Sequence, residues 1–456
     1  MKTTATDRRR VEKAAREVWK RLDREERARA LAGRSRARGL SYRLPRPKLR
    51  ARPAPFVPRD AYLSQVQAAV AARLAEKRAG EPGARVPAVA EPDPETDQLF
   101  DSFGPYDWRW ITALVQELTR SGVHPFGQTP AEQRMADRVR LVIFADWATG
   151  SVRARRLADM VRERLGDRDV ERHLIHLGDV YYAGLPDEYR ERFLRFWPAP
   201  GDDDKLHSWN LNGNHDMYSG GHGYFDLVSG AGDPPPHGAT SASFAHQQGT
   251  SFFRIYNDHW QVIALDTAYL DNDLADAQLP WLERWMGLDG SAADPGAANR
   301  KTILLSHHQL GSARAEAGVG PGIREKTERV RETGRVHAWI WGHEHFAFVY
   351  EPYLGVRCPI CIGNGGVPQL LSRIFTLEGF LGAIEGGFNK LKALFRAGVR
   401  PPRVAYAPTT PEVDPDGLKW EQLGFVVIDL DGPDGSAVYV GEENPADVPI
   451  EGFGRG

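Results

Sequence analysis

Five short apolar runs in this chain each end in side chains that can bind a metal ion. No other feature narrows the possible folds as much. RVRLVIFAD (138–146) ends in Asp146, and HLIHLGD (173–179) ends in Asp179, with Tyr182 three residues further on. WNLNGNHD (209–216) ends in Asn214, His215 and Asp216; KTILLSHH (301–308) ends in His307 and His308; VHAWIWGHEH (336–345) carries His343 and His345. Runs of this length read as buried strands, and helical patterns lie between several of them, at 152–165, 187–196 and 278–286. Strands alternating with helices argue an α/β domain. In such sheets ligands bind beyond the carboxyl ends of the strands, so five strand ends can converge on one site. Carboxylate, amide and imidazole together suit first-row metals rather than calcium. Gly178, Gly213 and Gly342 precede ligand positions and let the backbone turn close to an ion. Each motif alone is weak, because a histidine after a strand is usually structural and Gly-Asp is a common turn. In this order, together, they are strong.

The rest of the chain gives less. It has 456 residues, 41% of them hydrophobic and 26% charged, which is ordinary for a globular protein and excludes collagen-like or largely disordered chains. Two cysteines rule out a disulfide scaffold. The charged start shows no apolar signal-peptide core and no run of about 18 apolar residues predicts a transmembrane helix, so the expected compartment is the cytoplasm. Net charge is −2, yet residues 1–55 hold 19 Lys+Arg against 6 Asp+Glu, a local +13 that leaves −15 for the remainder. Such an arm suits an anionic partner, a nucleic acid or a lipid surface, or else is a solvated basic helix. Amphipathic helices are expected over about 8–31, 60–79 and 107–120, and another around Leu377–Phe395, with a proline-rich linker at 81–97. SFFRIYNDHWQVIALDT (251–267) reads as two strands turning at Asn257-Asp258, and FVVIDLDG with SAVYVG (425–440) as late strands. Cys358 and Cys361 form a CxxC without a second pair, so they read as buried thiols; DPDG (414–417) reads as a turn.

The order D…GDxxY…GNHD…H…GHxH over 139–366 resembles the calcineurin-like metallophosphoesterase superfamily, and within it the purple acid phosphatase branch. The resemblance implies a β-sandwich flanked by helices, with a two-metal centre at one edge that hydrolyses phosphate esters. Most of the superfamily has Asp-x-His in the first motif; here that histidine is replaced by Ala148, and Tyr182 stands where the purple acid branch places a metal-bound tyrosinate. A phenol with a pKa of about 10 ionises at neutral pH only beside a strong charge, Fe³⁺ being the usual one.

Carried over, the resemblance gives the first metal Asp146, Tyr182 and His345, the second Asn214, His307 and His343, and Asp179 as the bridge. The ions would be Fe paired with Fe, Zn or Mn, and the nucleophile a metal-bound hydroxide. His215 is the implied general acid, held in orientation by Asp216. His308 stands before Gln309, where the family usually has proline; it and His222, in the glycine-rich MYSGGHGYF (217–225), are weaker substrate-binding candidates.

The expected organisation is a basic helical and Pro-rich extension with linker (1–99), a helical lead-in (100–137), the catalytic domain (138–366), an insert with an amphipathic helix (367–420) and returning strands (421–445). The expected activity is hydrolysis of phosphomonoesters. A phosphodiesterase or nuclease on the same centre is the enzymatic alternative, and a metal-free scaffold the non-enzymatic one.

Overall fold

The computed structural model describes residues 123–453, apart from 200–202, 271, 276, 291–295, 297–298, 314–320, 368, 370–400, 414–418 and 445. The basic arm, the helices expected before residue 121 and near 377–395, and the DPDG turn lie outside the described residues.

Two sheets form the body. In the first, β2 (Arg138–Phe144), β3 (Glu171–His176) and β4 (Leu206–Asn210) run parallel. The late hairpin of β14 (Gly424–Asp431) and β15 (Asp434–Gly441), with the short β16 (Val448–Pro449), extends it antiparallel beyond β2. In the second, β6 (Trp260–Leu265), β7 (Lys301–Ser306), β8 (Val336–Trp341) and β10 (Cys358–Ile362) run parallel. It continues through β5 (Phe253–Tyr256) to β1 (Ala131–Arg134) on one side, and through β9 (Ala347–Tyr350) to β11 (Val404–Tyr406) on the other. The short strands β12 (Glu412–Val413) and β13 (Lys419–Trp420) pair only with each other.

The central strands are apolar on both faces because both are covered. Leu141 and Ile143 of β2, Ile175 of β3, Val262 and Ala264 of β6 and Ile340 of β8 point into one core between the sheets. Val142 and Phe144, their alternates on β2, pack outward against α1 (Val152–Arg164), which buries Ala154, Leu157, Ala158 and Val161. Ser151 caps that helix, its side chain accepting from the Ala154 N–H. On the other flank Ile263 and Leu265 meet Leu282 and Met286 from α4 (Gln278–Trp285), completing a helix-sheet-sheet-helix order. Fully burying one such aliphatic side chain contributes about 1.5–3 kcal/mol. Two further helices, α2 (Asn214–Met217) and α3 (His222–Ser229), come after β4.

The lead-in departs from expectation. Its described part, 123–137, holds strand β1 rather than a helix, because Ala131 and Met135 bury in the inter-sheet core while Glu132 and Arg134 face out, a period of two along the strand. The insert departs too, since β11 near its end joins the second sheet. Asn257 turns the β5–β6 hairpin as expected, its side-chain oxygen accepting from His259 N and Trp260 N. Cys358 faces the inter-sheet core and Cys361 the outer layer, both as free buried thiols.

His337 of β8 packs edge-on against the stacked rings of Trp260 and Phe453, and burial, helped by nearby Arg357 and Lys301, pushes its pKa down to about 4. The unfolded chain therefore binds a proton that the folded chain refuses. The stabilisation is complete above about pH 6.5 and is lost as pH falls toward 4, at about 1 kcal/mol per pH unit. In urea titrations at pH 7.5, 6 and 5, His337→Phe should flatten the pH dependence by about that slope. An unchanged slope would contradict the assignment.

Candidate metal centre

The parallel strands of both sheets end at the same edge, and each gives way there to a polar segment. Ala145-Asp146 extends β2, Leu177-Gly178-Asp179 extends β3, and Leu211-Asn212-Gly213 leads from β4 into Asn214 at the start of α2. His307 comes directly after β7, and Gly342-His343 directly after β8. Six of the seven ligand positions read from the sequence meet here as one buried cluster.

Asp179 lies in the middle and turns one oxygen to each side. Its Oδ2 is 3.1 Å from the Tyr181 hydroxyl, which is also 3.0 Å from Asp146 Oδ1 and 3.0 Å from His345 Nε2. Asp146 Oδ1 and His345 Nε2 are 3.3 Å apart. On the other side Asp179 Oδ1 is 3.4 Å from His307 Nε2, and Asn214 Oδ1 is 3.1 Å from His307 Nε2 and 2.9 Å from His343 Nδ1. Donor atoms of Asp146, Asp179 and His307 all lie within 4.8 Å of one another, as do those of His307, His308 and His343. Two sets of oxygen and nitrogen donors sharing one carboxylate fit a pair of transition-metal ions.

The backbone is strained to aim them. Asp146, Asp179, His343 and His345 all adopt left-handed conformations, at φ of 53°, 75°, 69° and 56°. Such a conformation costs a non-glycine residue on the order of 1 kcal/mol or more and persists only where surrounding structure enforces it. Part of that enforcement is visible. Asp216 receives Asp179 N (2.8 Å) and Gly213 N (2.6 Å) on Oδ2, and Val180 N and the Tyr189 hydroxyl on Oδ1. Glu188, also buried, accepts from the N–H groups of Tyr182, Ala183 and Leu185. His343 N donates to Asp146 Oδ2, and His215 N to Asp179 Oδ1. Glycine is required at Gly342, where a Cβ would lie 2.5 Å from Asp146 Oδ2 and 2.6 Å from Ala145 Cβ.

Burial and neighbouring charge set the protonation. Burial alone would raise Asp179, but His307 and His215 hold it well below the usual carboxylate range. Burial works against the His307 cation, yet Asp179 and Asp146 raise that imidazole above its ordinary value. Asp216 moves up, through burial and the charge of Asp179. The Tyr181 phenol is driven well above 10 by burial, Asp146 and Asp179, so only a cation placed between them would ionise it.

The placement differs from the sequence reading in two respects, and it locates the two weaker candidates. The phenol against the first donor set is that of Tyr181, while the Tyr182 ring lies 4.9 Å below the Arg192 guanidinium and its carbonyl contacts His215 Nδ1 at 2.7 Å. Asp216 holds the backbone of the Asp179 and Gly213 turns, and that carbonyl, rather than Asp216, fixes the His215 ring. His308 is fully buried, its Nδ1 3.1 Å from Thr267 Oγ1 and its ring 4.7 Å from His343, so it sits among the donors. His222 begins α3, with its ring edge-on to His124 at 5.8 Å. His215 reaches the cluster, with Nε2 4.0 Å from Asp179 Oδ2.

The sequence reading missed several supports. Gln369 places its side-chain amide 3.0 Å from His345 Nδ1, and the Leu177 carbonyl holds His307 Nδ1 at 2.9 Å, so that both imidazoles aim Nε2 inward. Adjacent tyrosines at 181 and 182 were the one signal for Tyr181; nothing local marks Gln369.

A model of the calcineurin-like phosphoesterase family matches residues 139–347. Residues 139–347 belong to that family. No curated protein matches the sequence. Among solved structures, the purple acid phosphatase PPD1 from yellow lupin (Lupinus luteus) seeds is similar at 14% identity and TM-score 0.43, over 71% of this chain and 54% of that one. The chain thus spans about half the length of the lupin protein. GAP50, described as the anchor in the inner membrane complex of Plasmodium, is similar at 12% identity and TM-score 0.44, over 69% of this chain and 89% of that one. Among the described residues no helix is long and apolar enough to cross a membrane.

Gly342 offers a direct check on the geometry. Gly342→Ala should displace the Asp146 carboxylate and weaken metal binding at least tenfold, at a stability cost of about 1–3 kcal/mol. Calorimetric titration with Mn²⁺ alongside thermal unfolding measures both. Wild-type metal affinity in the variant would contradict the close approach.

Proposed function

We propose that this chain hydrolyses phosphate esters, with phosphomonoesters as its substrates, at a centre of two metal ions. The observation that carries the reading is Asp179, a buried carboxylate with one oxygen on the Tyr181 hydroxyl, which also meets Asp146 and His345, and the other beside His307, which also meets Asn214. In this assignment the first ion is held by Asp146, Tyr181 and His345, the second by Asn214, His307 and His343, and Asp179 is shared; Tyr181 takes the place first read for Tyr182. The ions, when bound, supply an activated water and stabilise the charge of an in-line displacement. The protein's own groups do the rest. Asp216 and Glu188 fix the turn that carries Asp179 and Tyr181. His215 gives Nδ1–H to the Tyr182 carbonyl and keeps Nε2 toward the centre, where it can hold a proton for the leaving alkoxide.

Family membership of 139–347 and the carboxylate, amide, imidazole and phenol donors support this reading. A phenolate donor favours iron at the first site, paired with Fe, Zn or Mn at the second.

Four variants test the roles. Asp179→Asn should lose bound metal and hydrolysis together; two retained ions with near-normal turnover would sink the shared-ligand assignment. His215→Ala should lose more rate on alkyl phosphates than on p-nitrophenyl phosphate, by up to about 10²–10⁴-fold, because the activated phenol leaves without a proton. Equal losses would make His215 a positioning group. With iron bound and oxidised, a tyrosinate gives a visible charge-transfer band, which Tyr181→Phe should abolish and Tyr182→Phe should leave. The reverse pattern would return the assignment to Tyr182. Turnover of p-nitrophenyl phosphate against its bis ester decides between monoester and diester substrates.

A further inference from the structure

Asn214 differs from the other proposed ligands in that it can present either of two nearly isosteric atoms. A carboxamide turns about its last torsion with a broad, two-fold preference, and only its oxygen binds a metal ion. Something must hold it oxygen-inward.

Tyr218 lies four residues on, one helical turn from Asn214 and at the end of α2. Its hydroxyl oxygen accepts from Asn214 Nδ2 at 2.6 Å, which leaves Asn214 Oδ1 facing His307 Nε2 and His343 Nδ1. The Tyr218 ring is also packed beside His215, with centroids 4.8 Å apart and planes at 52°. It is half-buried at the rim of the cluster, whereas Asn214 and His215 are buried. None of the five motifs includes it.

We propose that Tyr218 is a positioning residue for the second metal ion: its hydroxyl locks the Asn214 amide with the oxygen turned toward that ion. The inference rests on the two-ion reading given above. Asn214 is the neutral, weakest donor of its set, so the second site depends on the lock more than the first, whose carboxylate and phenol oxygens need no such choice.

The full chain, stripped of metal and titrated with Mn²⁺ by calorimetry, tests this. Wild type should take two ions. Tyr218→Phe keeps the ring beside His215 and removes only the hydroxyl; the second ion should bind about 10–100-fold more weakly and the first unchanged. Tyr224→Phe is the control, because that buried hydroxyl donates to the Asn210 carbonyl outside the cluster, and it should bind both ions as wild type does. Asn214→Asp offers an oxygen whichever way it turns, so adding Tyr218→Phe to it should cost no further affinity. Wild-type binding in Tyr218→Phe overturns the proposal, as does an equal loss in Tyr224→Phe or a loss that persists beside Asn214→Asp. A wild-type protein that takes fewer than two ions overturns the two-ion reading, and the role of Tyr218 with it.

Discussion

Asp146 and Asp179 are buried within 3.1 Å of one phenolic oxygen, at the joint of two sheets. Like charges this close and this far from water repel strongly, and burying an unpaired carboxylate costs several kcal/mol. The partners available include the His307 imidazole, whose pKa the carboxylates raise, and the Tyr181 phenol, which burial and the carboxylates keep protonated. A divalent or trivalent cation between them would relieve the repulsion and ionise the phenol at once. Much of the local architecture serves to hold that charged arrangement in place.

The scaffold contributes rigidity. Parallel strands deliver the proposed ligands from both sheets to one edge, and the core behind them is closed by large rings such as Trp209 and Trp260. Four of the proposed ligand positions sit in left-handed backbone. That strain is sustained by buried carboxylates that are not ligands themselves: Asp216 ties the Asp179 turn to the Gly213 turn, and Glu188 ties down the Tyr182–Leu185 loop. Both are satisfied largely by backbone N–H groups, which makes them selective for one conformation of the loop.

The apolar runs and their terminal polar side chains were legible because strand-end chemistry is local: Asp146, Asp179, Asn214, His307 and the His343/His345 pair each come after their own strand. The parts that were not legible depend on how the loop after Asp179 turns. Counting three residues selects Tyr182, but the chain directs the neighbouring Tyr181 inward and puts Tyr182 under Arg192. Asp216 was misread because adjacency in sequence suggested contact with His215, while its carboxylate points back to the Asp179 turn. Gln369 acts through a contact that no spacing rule encodes, Tyr218 lies one helical turn beyond Asn214 but outside the strand-end motifs, and β1 is a strand only because β5 lies beside it.

Anomalous X-ray diffraction from crystals of the metal-loaded chain tests the central claim most directly. The account predicts two peaks about 3.5–4 Å apart, one against Asp146, Tyr181 and His345, the other against Asn214, His307 and His343, with Asp179 touching both. A single peak, or none between those side chains in protein that binds metal elsewhere, would contradict it.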